Sequence, residues 1–449
     1  MAQDNKDMWI ISIDPASGEI DTEHRLNYKD GWVNWTYRDF GWSHDGEHLW
    51  FLSEQSGFSN LYIKAPGQRK PTNLTAGPYV VGSPVESRSG DHFYFIANKG
   101  NPSDYRLYRV ESNGRSDPEA VTSIFTARQR LTGDNAPPFS LSRDERLVLF
   151  RHSRPNQPTE IYVQENRPGA TARRVTHTVS PAFEMFDWQI PRLVDVPSSH
   201  GAGSIRSRLY VPAGVQEDKP RAAVIFVHGA GYLQNAHNGW SGYFREYMFH
   251  NLLVQHGVVV LDMDYRGSRG YGSNWRTAIY RQMGHPELED LLDGVDYLVD
   301  GFRVDPSRIG IYGGSYGGFM TFMAMFRAPE TFAAGAALRG VTDWAHYNHG
   351  YTSNILNTPL IDPEAYVKSS PIYYAEQYAN RPMLIAHGMQ DDNVHFQDSV
   401  RLVQRLIELK KENFETAIYP LDPHGFKHPE AWLDEYRRIF KLFKDNLDF

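Results

Sequence analysis

Residues 308–326 read RIGIYGGSYGGFMTFMAMF, and this stretch decides the fold of the second half of the chain. A strand-like run, 308–312, meets a Gly-x-Ser-x-Gly pattern at Gly313, Ser315 and Gly317, and an apolar helix-like run follows. A serine at so tight a strand-to-helix turn needs small neighbours, because the strained backbone draws the flanking residues together. Its hydroxyl then projects from the end of a sheet, where the helix N-terminus and the Tyr316 N–H can stabilise negative charge. The bland alternative is a glycine-rich packing turn. A dinucleotide or phosphate loop is disfavoured, since neither a G-x-G-x-x-G register nor a G-K-[ST] ending is present.

Outward from that turn, strands are predicted at 207–211, 222–228, 258–264, 308–312, 333–338, 383–387 and 415–419. Helices are predicted at 286–302, 397–410 and 429–446, the first opening on Glu287, Glu289 and Asp290, where the helix dipole favours acids. Buried strands interleaved with helices mean a doubly wound, mostly parallel sheet covered on both faces.

Upstream of about residue 185 the grammar is different. Stretches 41–63, 83–110 and 139–163 share one plan: a serine-containing turn, an aromatic or aliphatic strand, a polar loop, then a strand of the Leu-Tyr or Ile-Tyr type. Their spacing suits four-stranded propeller blades better than a sandwich. Three blades and fragments do not close a ring, and residues 8–20, MWIISIDPASGEI, read as the closing strand of a blade whose earlier strands are missing. The expectation is therefore a fragment of a longer protein or an unusually short member of its family. Unpaired strand edges would promote association, so a homo-oligomer is compatible with the sequence.

A serine hydroxyl needs a general base and a group to orient that base, in the chain order Ser, acid, His. Asp391 and Asp392 follow the predicted strand 383–387, and spacing alone does not separate them. His424 lies in LDPHGF after the last strand, beside a glycine that lets its loop turn inward. In FVHGAGY, residues 226–232, small residues would let the backbone N–H groups of Gly229, Ala230 and Gly231 complete an oxyanion hole with that of Tyr316. His228 and His387 read as strand-end residues satisfied locally. His346 and His349 lack an acidic third ligand nearby, so no metal and no other cofactor is expected.

The 449 residues allow two or three domains, and 46 Lys+Arg against 54 Asp+Glu, with no basic block, speak against nucleic acid. The absence of cysteine excludes disulfides, thiolate metal sites and a Cys nucleophile. No apolar run reaches the roughly 20 residues that span a bilayer, and the first residues lack a signal-peptide pattern, so a soluble protein without membrane contact is expected. The compartment stays open between cytoplasm and, were an upstream signal removed, periplasm.

Taken in order, DYRGSRGYG (264–272), GGSYGG (313–318), VTDWAHYNHGYT (341–352), HGMQDDNVHFQDS (387–399), DPHGF (422–426) and the blades resemble the prolyl oligopeptidase family of serine peptidases, most closely its dipeptidyl-peptidase IV branch. The resemblance implies a partial β-propeller over 1–185 and an α/β-hydrolase catalytic domain over 186–449. It implies Ser315 as nucleophile, His424 as base and Asp391 as orienting acid. It also implies a proline-accepting pocket at Tyr316, Val341, Trp344, Tyr347, Tyr351 and Val394, with Asn393 on the substrate backbone. Where that branch has an oxyanion-hole tyrosine this chain has His228, so backbone N–H groups are expected as the second donor. The branch's acidic pair for the substrate amino group belongs upstream of residue 1. The expected activity is hydrolysis of short peptides, after proline or a small apolar residue, through an acyl-enzyme. An esterase or acylaminoacyl peptidase of the same fold, and an inactive interaction module, are the rival readings.

Overall fold

Aromatic strands that bury both faces build the first half of the chain. In the strand His92–Ala97, Phe93 and Phe95 face one way and Tyr94 and Ile96 the other, as the two-residue period of a strand requires. Phe93 and Phe95 pack with Leu52, Leu61 and Ile63 of the preceding sheet, while Tyr94 and Ile96 pack with Phe139, Val148 and Phe150 of the following one. A sheet covered on both faces by its sequence neighbours is a propeller blade. Three such antiparallel sheets of four strands follow one another, beginning at Phe40, Val81 and Phe139.

The computed structural model describes residues 2, 4–127, 137–213, 220–229 and 232–449. It divides the chain into two units. One is Met1–Trp188 with His237–Ser241 and Gly270–Asn274; the other is Gln189–Ala236, Gly242–Arg269 and Trp275–Phe449. The first unit holds the blades and, before them, an antiparallel hairpin of Asp7–Ile13 with Ile20–Asn27. The stretch 8–20 is thus most of a first strand plus its turn, not a lone closing strand. The Asp14 carboxylate, accepting from the Ala16 and Ser17 N–H groups, and Gly18 at φ 75° turn the chain back on itself.

The second unit has an α/β-hydrolase fold. Its strands are β1 (Arg192–Pro197), β2 (Ser204–Tyr210), β3 (Arg221–Val227), β4 (Val259–Met263), β5 (Val304–Gly314), β6 (Ala334–Leu338), β7 (Met383–Gly388) and β8 (Phe414–Tyr419), in the order β1-β2-β4-β3-β5-β6-β7-β8. β2 runs antiparallel to β1 and β4, and every pairing from β4 to β8 is parallel. Helices α1 (Phe244–Gln255), α2 (Pro286–Phe302), α3 (Tyr316–Arg327), α4 (Gln397–Glu408) and α5 (Pro429–Leu447) accompany the sheet. Gly310 lets α5 close on it: a Cβ there would stand 2.7 Å from the Phe443 ring. The carboxyl ends of β3, β5, β6, β7 and β8 point to one edge, where parallel sheets present functional groups.

Candidate active site

β5 and α3 are joined by a single residue, Ser315, at φ 59° and ψ −118°. That left-handed backbone costs a β-carbon residue on the order of 1–3 kcal/mol. It is held by the Ser315 N–H donating to the Leu338 carbonyl at 2.9 Å and by the Ser315 carbonyl accepting from the Phe319 N–H at 2.9 Å. The glycines around it are steric necessities. A Cβ on Gly313 or Gly317 would run into the Val227 carbonyl oxygen, and one on Gly318 would lie 2.6 Å from that of Leu338.

Asp391 follows β7 and His424 follows β8. The His424 Nδ1 lies 2.8 Å from the Asp391 Oδ2, which leaves Nε2 as the ring's other nitrogen. Asp392 is exposed whereas Asp391 is buried against His424, so burial separates the two acids that spacing did not. The Asp391 carboxyl is buried, which by itself would raise its pKa. Hydrogen bonds from His387 and His424, the nearby His424 charge and the Asn393 N–H outweigh that and hold it well below the usual carboxylate range. The Val394 N–H also donates to Oδ1, at 2.9 Å.

Sequence reasoning treated His387 as locally satisfied. Its Nε2 lies between the Asp391 Oδ2 (3.2 Å) and the Val394 carbonyl (2.9 Å), while its Nδ1 meets the Ser399 hydroxyl at 2.7 Å, so its local partners include the acid. With two acceptors at Nε2, the proton belongs there, and His387 donates to the acid. Asp422 was likewise missed. It draws in the Lys427 and His428 N–H groups with Oδ1, and its carbonyl accepts from the Gln390 N–H. A Cβ on Gly388 would collide with that carbonyl, so the loops bearing Asp391 and His424 interlock through backbone.

Ser315 and His424 line one cavity of about 280 Å³. Tyr316, Val341, Trp344, Tyr347, Tyr351 and Asn393 also line it. Trp344 is the hub of their rings, 5.7 Å from Tyr316, 5.4 Å from Tyr347 and 6.1 Å from Tyr351 by centroid. The Tyr347 hydroxyl donates to the Asn393 Oδ1 at 2.6 Å, fixing that amide at the rim. The Tyr316 hydroxyl donates to Glu287 of α2, a carboxyl that burial pushes up to about 7. Val394 does not belong to the lining: it is fully buried behind the wall, its N–H and carbonyl both committed to the Asp391 and His387 pair.

The oxyanion region differs from expectation. The His228 ring is buried and turned away, Nδ1 3.0 Å from the Gly229 carbonyl and Nε2 3.0 Å from the Ser268 hydroxyl, and it stacks on Tyr265 at 4.5 Å. Burial keeps it neutral, and it offers no side-chain donor to the cavity. Ala230 lies outside the described residues. The Gly229 N–H donates to the hydroxyl of Tyr243, a residue no motif had marked. A Cβ on Gly229 would stand 3.0 Å from that hydroxyl and 3.3 Å from the Ser315 Cβ, so the phenol sits beside the serine. Burial raises the Tyr243 pKa well above its ordinary value, so it stays an O–H donor.

Two family models match the chain: the prolyl oligopeptidase family over residues 245–449, and the dipeptidyl peptidase IV N-terminal region over residues 1–159. The chain belongs to the prolyl oligopeptidase family. Among curated relatives of this family, dipeptidyl peptidase 8 of Homo sapiens is 28% identical over 367 residues, 79% of this chain and 39% of its own length. Dipeptidyl peptidase 4 of Bos taurus is 26% identical over 447 residues, 97% of this chain and 55% of its own. The chain thus spans between 39% and 55% of the length of these two family members. In fold it is similar to the dipeptidyl peptidase 4 of Porphyromonas gingivalis, with a TM-score of 0.86 at 23% identity over 99% of this chain and 61% of that one.

Proposed function

We propose that the chain is a serine peptidase that hydrolyses short peptides through an acyl-enzyme, cleaving after proline or a small apolar residue. The observation that carries this is the 2.8 Å contact of His424 with the buried Asp391 carboxylate, on a cavity that Ser315 also lines. In this reading Asp391 fixes the His424 tautomer with Nδ1 protonated, so that Nε2 is the base. Ser315 Oγ attacks the scissile carbonyl carbon as its proton passes to Nε2. The tetrahedral oxyanion is met by the Tyr316 N–H and the Tyr243 hydroxyl, the latter polarised by the N–H bond it accepts from Gly229. His424 then protonates the leaving amine as the C–N bond breaks, and water, deprotonated by the same imidazole, hydrolyses the acyl-enzyme.

The flat, rigid wall of Trp344, Tyr347 and Tyr351 suits a pyrrolidine ring, which loses little conformational freedom on binding and packs well on aromatic faces. The test is turnover of a prolyl anilide. Ser315→Ala is expected to lower kcat by about 10³- to 10⁶-fold with KM little changed. Wild-type turnover in that variant would refute the reading.

A further inference from the structure

Arg339 is the first residue after β6, at φ 43°, with its N–H donating to the Ala386 carbonyl at 2.7 Å. Its guanidinium is nearly buried yet lines the cavity with Ser315, His424 and Gly425. It lies 5.6 Å from the centroid of Phe426 and 5.3 Å from that of Trp432, and Nη1 is 3.3 Å from Glu435. Nη2 is 3.0 Å from where a Gly314 Cβ would stand, so the cation rests against the backbone just before the serine. A buried cation on left-handed backbone costs stability twice over, and an apolar side chain between two aromatic rings would cost less. Such an expense at a cavity wall points to a ligand of opposite charge.

The direction of the substrate follows from the catalytic groups. The aromatic wall takes the acyl side, and the amine that leaves must lie on the side of the group that protonates it. That side is His424 and Gly425, and Arg339, which lines the same cavity, packs on Phe426 of the same loop. We propose, resting on the peptidase reading, that Arg339 determines specificity by receiving a carboxylate carried by the leaving residue, so that the favoured substrates end one residue beyond the scissile bond. A free amino acid holds its α-carboxylate two bonds from the amine that leaves, a short reach suited to a cation packed on the neighbour of the nucleophile. A planar guanidinium pairs with a carboxylate through two parallel hydrogen bonds. Glu435 meets the guanidinium at Nη1, and burial, opposed by Arg339 itself, pushes its carboxyl up to about 7, while Glu246 is raised too.

The experiment compares kcat/KM for Ala-Pro-Ala, its C-terminal amide, Ala-Pro-Asp amide and an Ala-Pro anilide, in the wild type and in Arg339→Gln and Arg339→Lys. The wild type is expected to favour the free acid over the amide by about tenfold or more, chiefly through KM. Arg339→Gln should bring that ratio close to one and Arg339→Lys should keep part of it. If Ala-Pro-Asp amide rivals the free acid, the carboxylate read is that of a side chain as well as a terminus. A wild-type ratio near one while the anilide turns over overturns this inference alone, and so does a ratio retained in Arg339→Gln. Absence of turnover on every substrate, anilide included, overturns the peptidase reading with it.

Discussion

At the scale of single residues, His387 is the group that sets the acid of the site. Asp391 accepts from His387, His424, Asn393 and Val394 at once, which is why its carboxyl titrates far below the ordinary range despite burial. A depressed acid adds stability above its unfolded pKa of about 4, and that stability is lost as pH falls toward the folded value. His387→Leu removes one donor, which leaves the Asp391 carboxylate a stronger acceptor for the Nδ1–H of the His424 base and so favours that base protonated. The acid limb of the kcat/KM profile on a prolyl anilide is expected to move toward neutrality, with about 1–3 kcal/mol lost in urea unfolding at pH 7. An unmoved acid limb would mean that His387 serves packing only. Gly317 makes a second prediction. Gly317→Ala forces a methyl onto the Val227 carbonyl between β3 and α3, and should cost more than about 3 kcal/mol, read as a fall in Tm. A Tm unchanged by that methyl would contradict the tight turn.

At the scale of elements, the loops after β7 and β8 hold each other in place. Asp422 ties the turn at Lys427 and His428 and gives its carbonyl to Gln390, so Asp422→Ala should free the segment bearing His424. Expected is a drop in kcat of about 10- to 100-fold with smaller change in KM, checked by steady-state kinetics. Equal kcat in the two proteins would argue that the loop is held elsewhere. Elements of this kind differ in how plainly the sequence announces them. Helices α2, α4 and α5 bury one stripe and expose the rest, and their predicted limits fall within two residues of the observed ones. Helix α1 escaped notice because Glu246, His250 and Asn251 are buried on it beside Tyr247 and Phe249, which erases the apolar period. Strand β1 escaped because it is an edge strand with a single buried residue, Val196. In the site, Ser315 and His424 were legible from motif and chain order, whereas Asp391 over Asp392 is a matter of burial. Tyr243 and Arg339 sit at no motif spacing, since each reaches the cavity only because the sheet brings its loop there.

At the scale of the whole molecule, the chemistry depends on a unit that buries several acids without full compensation. Burial pushes Asp262 up to about 8, Glu287 and Glu435 to about 7, and Asp290 to about 6. Between about pH 4 and those values the folded chain keeps protons that the unfolded chain has released, so stability falls as pH rises through that window. The urea midpoint is expected to be lower at pH 8 than at pH 5, and Glu287→Gln, which keeps an acceptor for the Tyr316 hydroxyl, should flatten that decline by up to about 3 kcal/mol. A midpoint that climbs from pH 5 to pH 8 would contradict these buried, protonated acids. Ser315, Asp391 and His424, separated by long stretches of chain, are proposed to act at one sheet edge as a single nucleophilic unit. The most direct measurement is reaction of the wild-type chain with a fluorophosphonate probe, followed by peptide mass mapping, beside Ser315→Ala and His424→Gln. One adduct is expected, on Ser315, absent from the first variant and formed at least about a hundredfold more slowly in the second. An adduct elsewhere, or a rate indifferent to the loss of His424, would contradict it.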